Sequence, residues 1–448
     1  MDSKYSAIFK AYDVRGIYPD QLDEATARRI GEAYVAVRKP KIIAVGQDVR
    51  NSGEKLKKEL ISALLSGGVD VVDVGIITTD QLYFAVGQYN FDGGISVTAS
   101  HNPAEYNGFK FSDTSGAPIT SQSLEALRDW AASDNKLPAG PAGSLSTKEI
   151  LEDYIDHVMT YVDGVNIKPL KIVVNANFGA VGRGVDKIAQ RLNLSLTRLN
   201  WLQDGSFPKG PPNPLLPESR KETISLIKSS KPDLGVAWDA DADRVFFYTG
   251  EGQFVPSCYV IALLAQEFLK KQPGAKIVHD ITLRWLADDV IVAAGGQPIL
   301  NRVGHTFIKT RMRKEDAPFA AESSGHYYFR KSFYADNGIV PLLMLLEIIS
   351  RTGKSLSELI TPFIGRYFMI DEINFRVNAP SDTIRKLENE LGKDGKVDKT
   401  DGVTIESEHW RINLRPSNTE PLIRLNAEAH NQKGLDKIVD RVTSLINT

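Results

Sequence analysis

The sequence predicts an α/β protein: three successive α/β domains with mixed, mostly parallel sheets, followed by a smaller C-terminal α+β domain. Three observations lead there. Short apolar runs of strand length alternate with longer stretches at helical spacing, this grammar restarts twice, and it changes beyond Tyr367. A chain of 448 residues fits three or four domains. Hydrophobic residues, at 42%, supply apolar material for several cores.

Residues 41–46 (KIIAVG) read as a buried strand. Residues 54–65 carry helical apolar spacing and stop at Gly67-Gly68. Residues 69–74 (VDVVDV) and 94–97 (GISV) give two more strands, and strand–helix–strand order favours parallel pairing with helices on both faces. The pattern restarts at Lys171 (KIVVNAN) and runs to 234–238 (LGVAW). It restarts again at Lys276 (KIVHD), with a helix expected over 283–293 and a strand near Phe319. The stretch 132–146 is rich in Ala, Gly, Pro and Ser and reads as a linker. From Tyr367 strands and helices mix differently, with a loop over 415–421 and a helix from about Gly434. These breaks set domains at 1–145, 146–250, 251–366 and 367–448.

The net charge of −2 lacks the basic bias of a nucleic-acid-binding chain. Cys258 is the only cysteine, so no internal disulfide can form, which fits a reducing compartment. The first residues lack the apolar core of a secretory signal, and no run has the length of a membrane span. The expectation is a cytoplasmic protein with no nucleic-acid or membrane partner.

Residues 94–103 (GISVTASHNP) place Ser100 and His101 just beyond a strand, where open α/β sheets bind ligands. Backbone N–H groups there can hold an anion, and Lys110 in YNGFK follows ten residues on. The bland reading is a turn, since Ser, His, Asn and Pro all favour one. A serine hydrolase is disfavoured, because neighbouring residues on extended chain point apart and the G-x-S-x-G elbow is missing.

Residues 234–245 (LGVAWDADADRV) run an apolar strand into Asp239, Asp241 and Asp243. Residues two apart project the same way from extended backbone. At about 4 Å and an effective dielectric constant near 20, each pair of carboxylates would repel by roughly 4 kcal/mol. A hard divalent cation such as Mg²⁺ reverses that sign. Arg244 follows directly and can neutralise a phosphoryl group. The bland reading, a solvated acidic loop, is opposed by the apolar flanks. A rival reading takes Asp241 as an aspartyl-phosphate nucleophile, since Asp241 to Val245 fits the D-x-D-x-[TV] pattern of haloacid-dehalogenase-like phosphatases and mutases; it leaves the Ser100 loop unexplained.

Residues 302–309 (RVGHTFIK) contain His305. Residues 321–326 (AESSGH) group Glu322, Ser324 and His326, whose side chains suit sugar hydroxyls. Residues 415–419 (RPSNT) and Arg424 suit phosphate oxygens, although Pro, Ser and Asn also make ordinary turns. Tyr12 and Arg15 in YDVRG carry the same ambiguity. His157, His279, His409 and His430 read as structural.

FKAYDVRG, TASHNP with YNGFK, DADADR, ESSGH and RPSNTEP occur in this order over about residues 5–440. Together they resemble the α-D-phosphohexomutase superfamily, most closely its phosphomannomutase/phosphoglucomutase branch. The resemblance implies four domains around a central cleft and an interconversion of hexose 6-phosphate and hexose 1-phosphate. A hexose 1,6-bisphosphate serves there as intermediate and activator. It implies that Ser100 carries the phosphoryl group, and that Asp239, Asp241 and Asp243 hold Mg²⁺ with the serine oxygen as a further ligand. Arg244 would lie beside them. Lys110 and His305 are candidates for proton transfer. Glu322, Ser324 and His326 would bind sugar, while Arg415, Ser417, Asn418, Thr419 and Arg424 would bind phosphate. Tyr12, Arg15 and His101 would face the cleft. Two positions depart from the pattern. Alanine fills the second position of DADADR where many relatives have glycine, and Thr282 stands where relatives often carry a basic residue. Arg284, two positions on, would point the same way on a strand. A non-catalytic sugar-phosphate-binding protein is the remaining alternative.

Overall fold

The computed structural model describes residues 4–416 and 422–447 and forms two compact units, Met1–Val255 with Ser324–Leu356, and Pro256–Ser323 with Ser357–Thr448.

The first unit begins with strands β1 (Val14–Ile17), β2 (Ile42–Gln47), β3 (Asp70–Ile76), β4 (Gly93–Val97), β5 (Tyr106–Asp113), β6 (Ala117–Pro118) and β7 (Leu145–Thr147). They make one sheet in the order β1-β5-β4-β2-β3-β7, with β6 paired to β5. Strands β2, β3, β4 and β7 are parallel to their neighbours among themselves, and β5 runs antiparallel to β4 and β1. Strand β4 is buried at every position, as a strand covered by helices on both faces must be. Helices Glu24–Arg38 and Gly53–Ser66 cover one face through Ile30, Leu56, Leu60 and Leu64. Helix Thr79–Gln88 packs on the other through Leu82, Ala85 and Val86. The first of these helices starts at Asp23, whose carboxylate accepts from the Thr26 N–H at 2.8 Å.

The stretch expected to be a linker is docked along its length. It closes the sheet with edge strand β7, and the Gly143 N–H donates to the Leu65 carbonyl at 2.8 Å. A β-carbon at Gly143 would come within 2.0 Å of the Val69 carbonyl oxygen, so only glycine lets the chain pass there. Arg29 fixes the near end by donating to the backbone carbonyls of Ala131 and Asn135 at 3.1 and 2.7 Å. At Gly143 the small residue serves a close approach to the Val69 carbonyl.

A second sheet holds β8 (Lys171–Asn175), β9 (Ser195–Leu199), β10 (Leu234–Trp238), β11 (Val245–Thr249) and β12 (Phe254–Val255) in the order β12-β11-β10-β8-β9. The β8–β9 and β8–β10 pairs are parallel; β10–β11 is antiparallel, so the DADADR segment is the short connection between β10 and β11. Strands β4 and β10 thus present their carboxyl ends to the two loops that the sequence singles out. The Trp238 indole, fully buried, donates to the Gly338 carbonyl at 2.7 Å.

In the second unit, strand Lys276–Asp280 lies between Gln297–Asn301 and Phe319–Ala321, parallel to both. Helix Trp285–Ala293 begins two residues later than expected. Arg284 therefore precedes a helix rather than continuing a strand. Its guanidinium pairs with Asp288 at 2.7 Å and Glu406 at 3.3 Å, so the expected parallel with Thr282 is not met. Thr282 is buried and bonds the Asp280 carboxylate through its N–H at 2.8 Å. The C-terminal sheet is antiparallel, with Leu422–Ala429 and Trp410–Pro416 central and helices Pro380–Leu391 and Gln432–Asn447 packed on its apolar face. Among the described residues no helix is long and apolar enough to cross a membrane.

Helix Leu151–Met159 brings His157 against the Phe333 ring, 5.9 Å between centroids, with Nε2 3.0 Å from Ser332 Oγ. Burial, with Lys331 nearby, pushes the imidazole down from 6.5 to about 4. Between those values the unfolded chain takes up a proton that the folded one refuses. His157 therefore contributes stability above pH 6.5 that is lost as the pH falls towards 4. We expect His157→Gln to flatten the fall in urea-unfolding midpoint between pH 7 and pH 5. Identical slopes for the two proteins would contradict this.

Candidate active site

Strand β4 ends at Val97 and the chain turns through Thr98, Ala99 and Ser100. Ser100 has φ 51°, a left-handed conformation that a non-glycine residue holds only when its surroundings compel it. They do so here. The Thr98 hydroxyl accepts from the Ser100 N–H at 2.9 Å. The buried Arg50 guanidinium donates to the carbonyls of Ser100, Asn102, Pro103 and Tyr106 at 2.6–2.9 Å, and its Nε faces Asp48 at 3.2 Å.

The aspartate loop also turns, at Ala242 with φ 55°. The three carboxylates converge because the chain bends, not because an extended strand alternates, which corrects the sequence-based reason. Alanine suits the two intervening positions. A β-carbon on Gly338 would lie 2.2 Å from the Ala242 carbonyl oxygen, and one on Gly179 2.4 Å from that of Ala240, so the loop is packed on both sides.

Asp239, Asp241 and Asp243 are buried, and one oxygen of each lies within 4.8 Å of the others. The Ser100 hydroxyl donates to Asp239 Oδ2 at 2.7 Å across 139 residues of sequence. Burial, then Asp243 and Asp241, drives the Asp239 carboxyl well above its usual range. Asp241 Oδ1 is buried with no hydrogen-bond partner among the described residues. An all-oxygen donor set, a carboxyl forced towards its neutral form and an orphaned carboxylate oxygen fit a hard divalent cation.

Lys110 on β5 donates to Asp241 Oδ2 at 2.7 Å and also bonds Asp243 Oδ2. Burial alone would favour the neutral amine, but Asp241 and Asp243 outweigh it and raise the ammonium well above its ordinary value. Thr79 and Thr98 hydroxyls also donate to Asp241 Oδ2, at 2.7 and 3.0 Å. The Arg244 N–H donates to Asp239 Oδ1 at 3.2 Å, while its guanidinium Nε is buried without a hydrogen-bond partner among the described residues. His101 Nδ1 lies 3.2 Å from Ser100 Oγ. Burial, then Arg244 and Arg15, pushes this imidazole well below its usual value. Arg15 bonds Asp13 at 2.8 Å and Asn102 Oδ1 at 2.7 Å, with Tyr12 beside it. His326 Nε2 faces Asp243 Oδ1 at 3.5 Å and its Nδ1 meets Ser324 Oγ at 2.9 Å. The loop read as sugar-binding thus also borders the aspartates.

In the second unit, His305 opens helix His305–Glu315 after Gly304, with Nδ1 3.3 Å from the Lys309 amine. Glu322 accepts from the Gly304 N–H at 2.7 Å. Arg415 pairs with Glu372 at 3.0 Å and Asp401 at 3.6 Å, and Arg424 with Glu372 at 3.5 Å. Ser417, Asn418 and Thr419 lie outside the described residues.

Asp48, Arg50, Thr79 and the role of Thr98 escaped the sequence reading. A signal existed for the first two: residues 48–50 follow strand β2 as 98–100 follow β4, and the rule that ligand-site residues gather at carboxyl ends applies equally to both.

Family models for the four phosphoglucomutase/phosphomannomutase domains match consecutive parts of the chain. Alpha/beta/alpha domains I, II and III match residues 6–137, 152–252 and 257–367, and the C-terminal domain matches 372–445. The chain belongs to the phosphoglucomutase/phosphomannomutase family. A phosphomannomutase of Salmonella montevideo is 43% identical over 94% of each chain. A protein of Xanthomonas campestris named for phosphohexose mutases is 41% identical over 95% of this chain and 96% of its own. The crystal structure of a phosphoglucomutase/phosphomannomutase family protein from Burkholderia thailandensis is 32% identical, with a TM-score of 0.87 over 99% of this chain and 97% of that one.

In this family member, removing the Lys110 ammonium leaves Asp241 and Asp243 buried without their cation. We expect Lys110→Met to lower stability in EDTA by about 3–5 kcal/mol, with excess Mg²⁺ restoring part of the loss. Thermal melts with and without the metal check this. A variant as stable as the parent in EDTA would contradict it.

Proposed function

We propose that this chain is a cytoplasmic phosphohexomutase that moves a phosphoryl group between the C6 and C1 oxygens of a mannose or glucose phosphate. The carrier is Ser100, and a hexose 1,6-bisphosphate is the intermediate. The observation that carries the reading is the 2.7 Å bond from the Ser100 hydroxyl to Asp239 at the edge of the acidic cluster.

Phosphorylated Ser100 faces a substrate hydroxyl. The new oxygen–phosphorus bond forms as the Ser100 Oγ–phosphorus bond breaks, and the hydroxyl loses its proton. After the bisphosphate turns over, the other phosphoryl group returns to Ser100. Asp239, Asp241, Asp243 and the serine oxygen would hold Mg²⁺, which when bound draws charge from the phosphoryl oxygens. The unpartnered Arg244 Nε supports a contact from this side chain to the same oxygens. His101, 3.2 Å from Ser100 Oγ, supports a role in holding the serine proton. Lys110 and His305 remain the candidates for the substrate proton; the pairing of Lys110 with two carboxylates favours a role in charge balance. Glu322, Ser324 and His326 are assigned to the sugar. Arg415, Ser417, Asn418, Thr419 and Arg424 are assigned to the distal phosphate, with Tyr12 and Arg15 beside the serine loop.

Attack by Asp241 as an aspartyl-phosphate nucleophile is disfavoured, because it leaves the Ser100 hydroxyl at the edge of the acidic cluster without a role and the chain matches all four phosphoglucomutase/phosphomannomutase domains. The named relatives favour a catalytic protein over a mere binder.

Incubation with glucose 1,6-bisphosphate and peptide mapping test the reading. The phosphate should sit on the Ser100 peptide, and Ser100→Ala should be folded and inactive. Label on the Asp241 peptide, or turnover by Ser100→Ala, would overturn it. Parallel kinetics on mannose 1-phosphate, glucose 1-phosphate and glucosamine 1-phosphate fix the sugar.

A further inference from the structure

A segment of the second α/β domain reaches back to the serine loop. Phe207 is buried and its ring lies under the Arg50 guanidinium, 5.0 Å from Cζ to centroid. Its backbone has φ 44°, a left-handed conformation closed by the Phe207 N–H donating to the Asp204 carbonyl at 3.1 Å. Between them, Gly205 rests on the backbone of residues 49–51. A β-carbon there would lie 2.3 Å from the Val49 carbonyl oxygen and 2.7 Å from Arg50 Cα.

The same segment is tied to the aspartate loop. The Asp204 N–H donates to the Phe178 carbonyl at 3.1 Å, and two residues on the Ala180 N–H donates to the Ala240 carbonyl at 2.9 Å. A continuous run of backbone contacts therefore leads from Ala240, between two of the aspartates, through Phe178 and Gly205 to Arg50. From Arg50, four hydrogen bonds lead to the serine loop.

We propose that Arg50 and Phe207 are positioning residues that fix where Ser100 Oγ sits relative to the aspartate loop, independently of any bound metal. The inference rests on Ser100 as phosphoryl carrier. Phosphoryl transfer depends on in-line placement, and a small displacement of the carrier slows the chemical step without weakening sugar binding. The planar guanidinium reaches four carbonyls at once, which a lysine ammonium cannot do. The aromatic face beneath keeps it from swinging away.

The test uses full-length wild type, Arg50→Lys, Phe207→Leu, Phe207→Tyr and Gly205→Ala. The readouts are kcat, KM, the rate of Ser100 phosphorylation by glucose 1,6-bisphosphate, and thermal melting. We expect kcat and the phosphorylation rate to fall roughly 10- to 100-fold in Arg50→Lys, Phe207→Leu and Gly205→Ala. KM should stay within about two-fold of the parent, and Phe207→Tyr, which keeps the ring, should recover most of the rate. Wild-type rates in both Phe207→Leu and Gly205→Ala would overturn the proposal. So would a loss that only tracks the unfolded fraction, or Phe207→Tyr no better than Phe207→Leu. A wild type that takes no phosphate on Ser100 overturns the carrier reading and this one together; a phosphorylated, active wild type with indifferent variants overturns this one alone.

Discussion

Three carboxylates on one turn, buried and within 4.8 Å of one another, repel, and much of the first unit answers that repulsion. Lys110 comes from β5 to pair with two of them, the hydroxyls of Thr79 and Thr98 bond Asp241, and the Ser100 hydroxyl bonds Asp239. These partners span a strand, a helix start and a loop of the first sheet, so the charge cluster and the packing of the two sheets are one problem. What remains among the described residues, an unpartnered Asp241 Oδ1 and an Asp239 carboxyl pushed towards its neutral form, fits the demand of a divalent cation for oxygen ligands.

The serine loop shows the second half of the design. The role proposed for Ser100, carrying a phosphoryl group beside the aspartates, requires a hydroxyl that is small and unable to drift. Ser100 meets these needs in a strained backbone conformation held by Thr98 and Arg50. Arg50 is itself buried against Asp48 and the Phe207 ring. The strain at Ser100 is thus upheld by the Thr98 hydroxyl and by Arg50 on its bed of Asp48 and Phe207.

The alternation of apolar runs and amphipathic stretches made the strands and helices legible, because strands covered on both faces read as continuous apolar segments. Ser100 and the aspartates stood out because polar residues directly follow such runs, whereas Lys110, inside β5, was marked only by its place in YNGFK. Other features could not be read locally. Residues 132–146 look like a linker, yet Gly143 is small because the Val69 carbonyl lies against it. The parallel between Arg284 and Thr282 is different, since it assumes a strand although the apolar spacing already announces a helix from 283; Arg284 directly precedes the helix that begins at Trp285. The aspartates converge through a turn at Ala242, whose positive φ no alanine advertises. Arg50 is ordinary in sequence; its importance lies in carbonyls some fifty residues away.

The central claim is that the serine oxygen and the three aspartates enclose one divalent ion. The most direct measurement is phosphorus ENDOR on the phosphoprotein loaded with Mn²⁺ in place of Mg²⁺. A phosphorus coupling typical of a directly bound phosphate, present with phosphorylated Ser100 and absent from the dephosphorylated protein, is the predicted result. A bound Mn²⁺ with no phosphorus coupling in the phosphorylated protein would contradict the account.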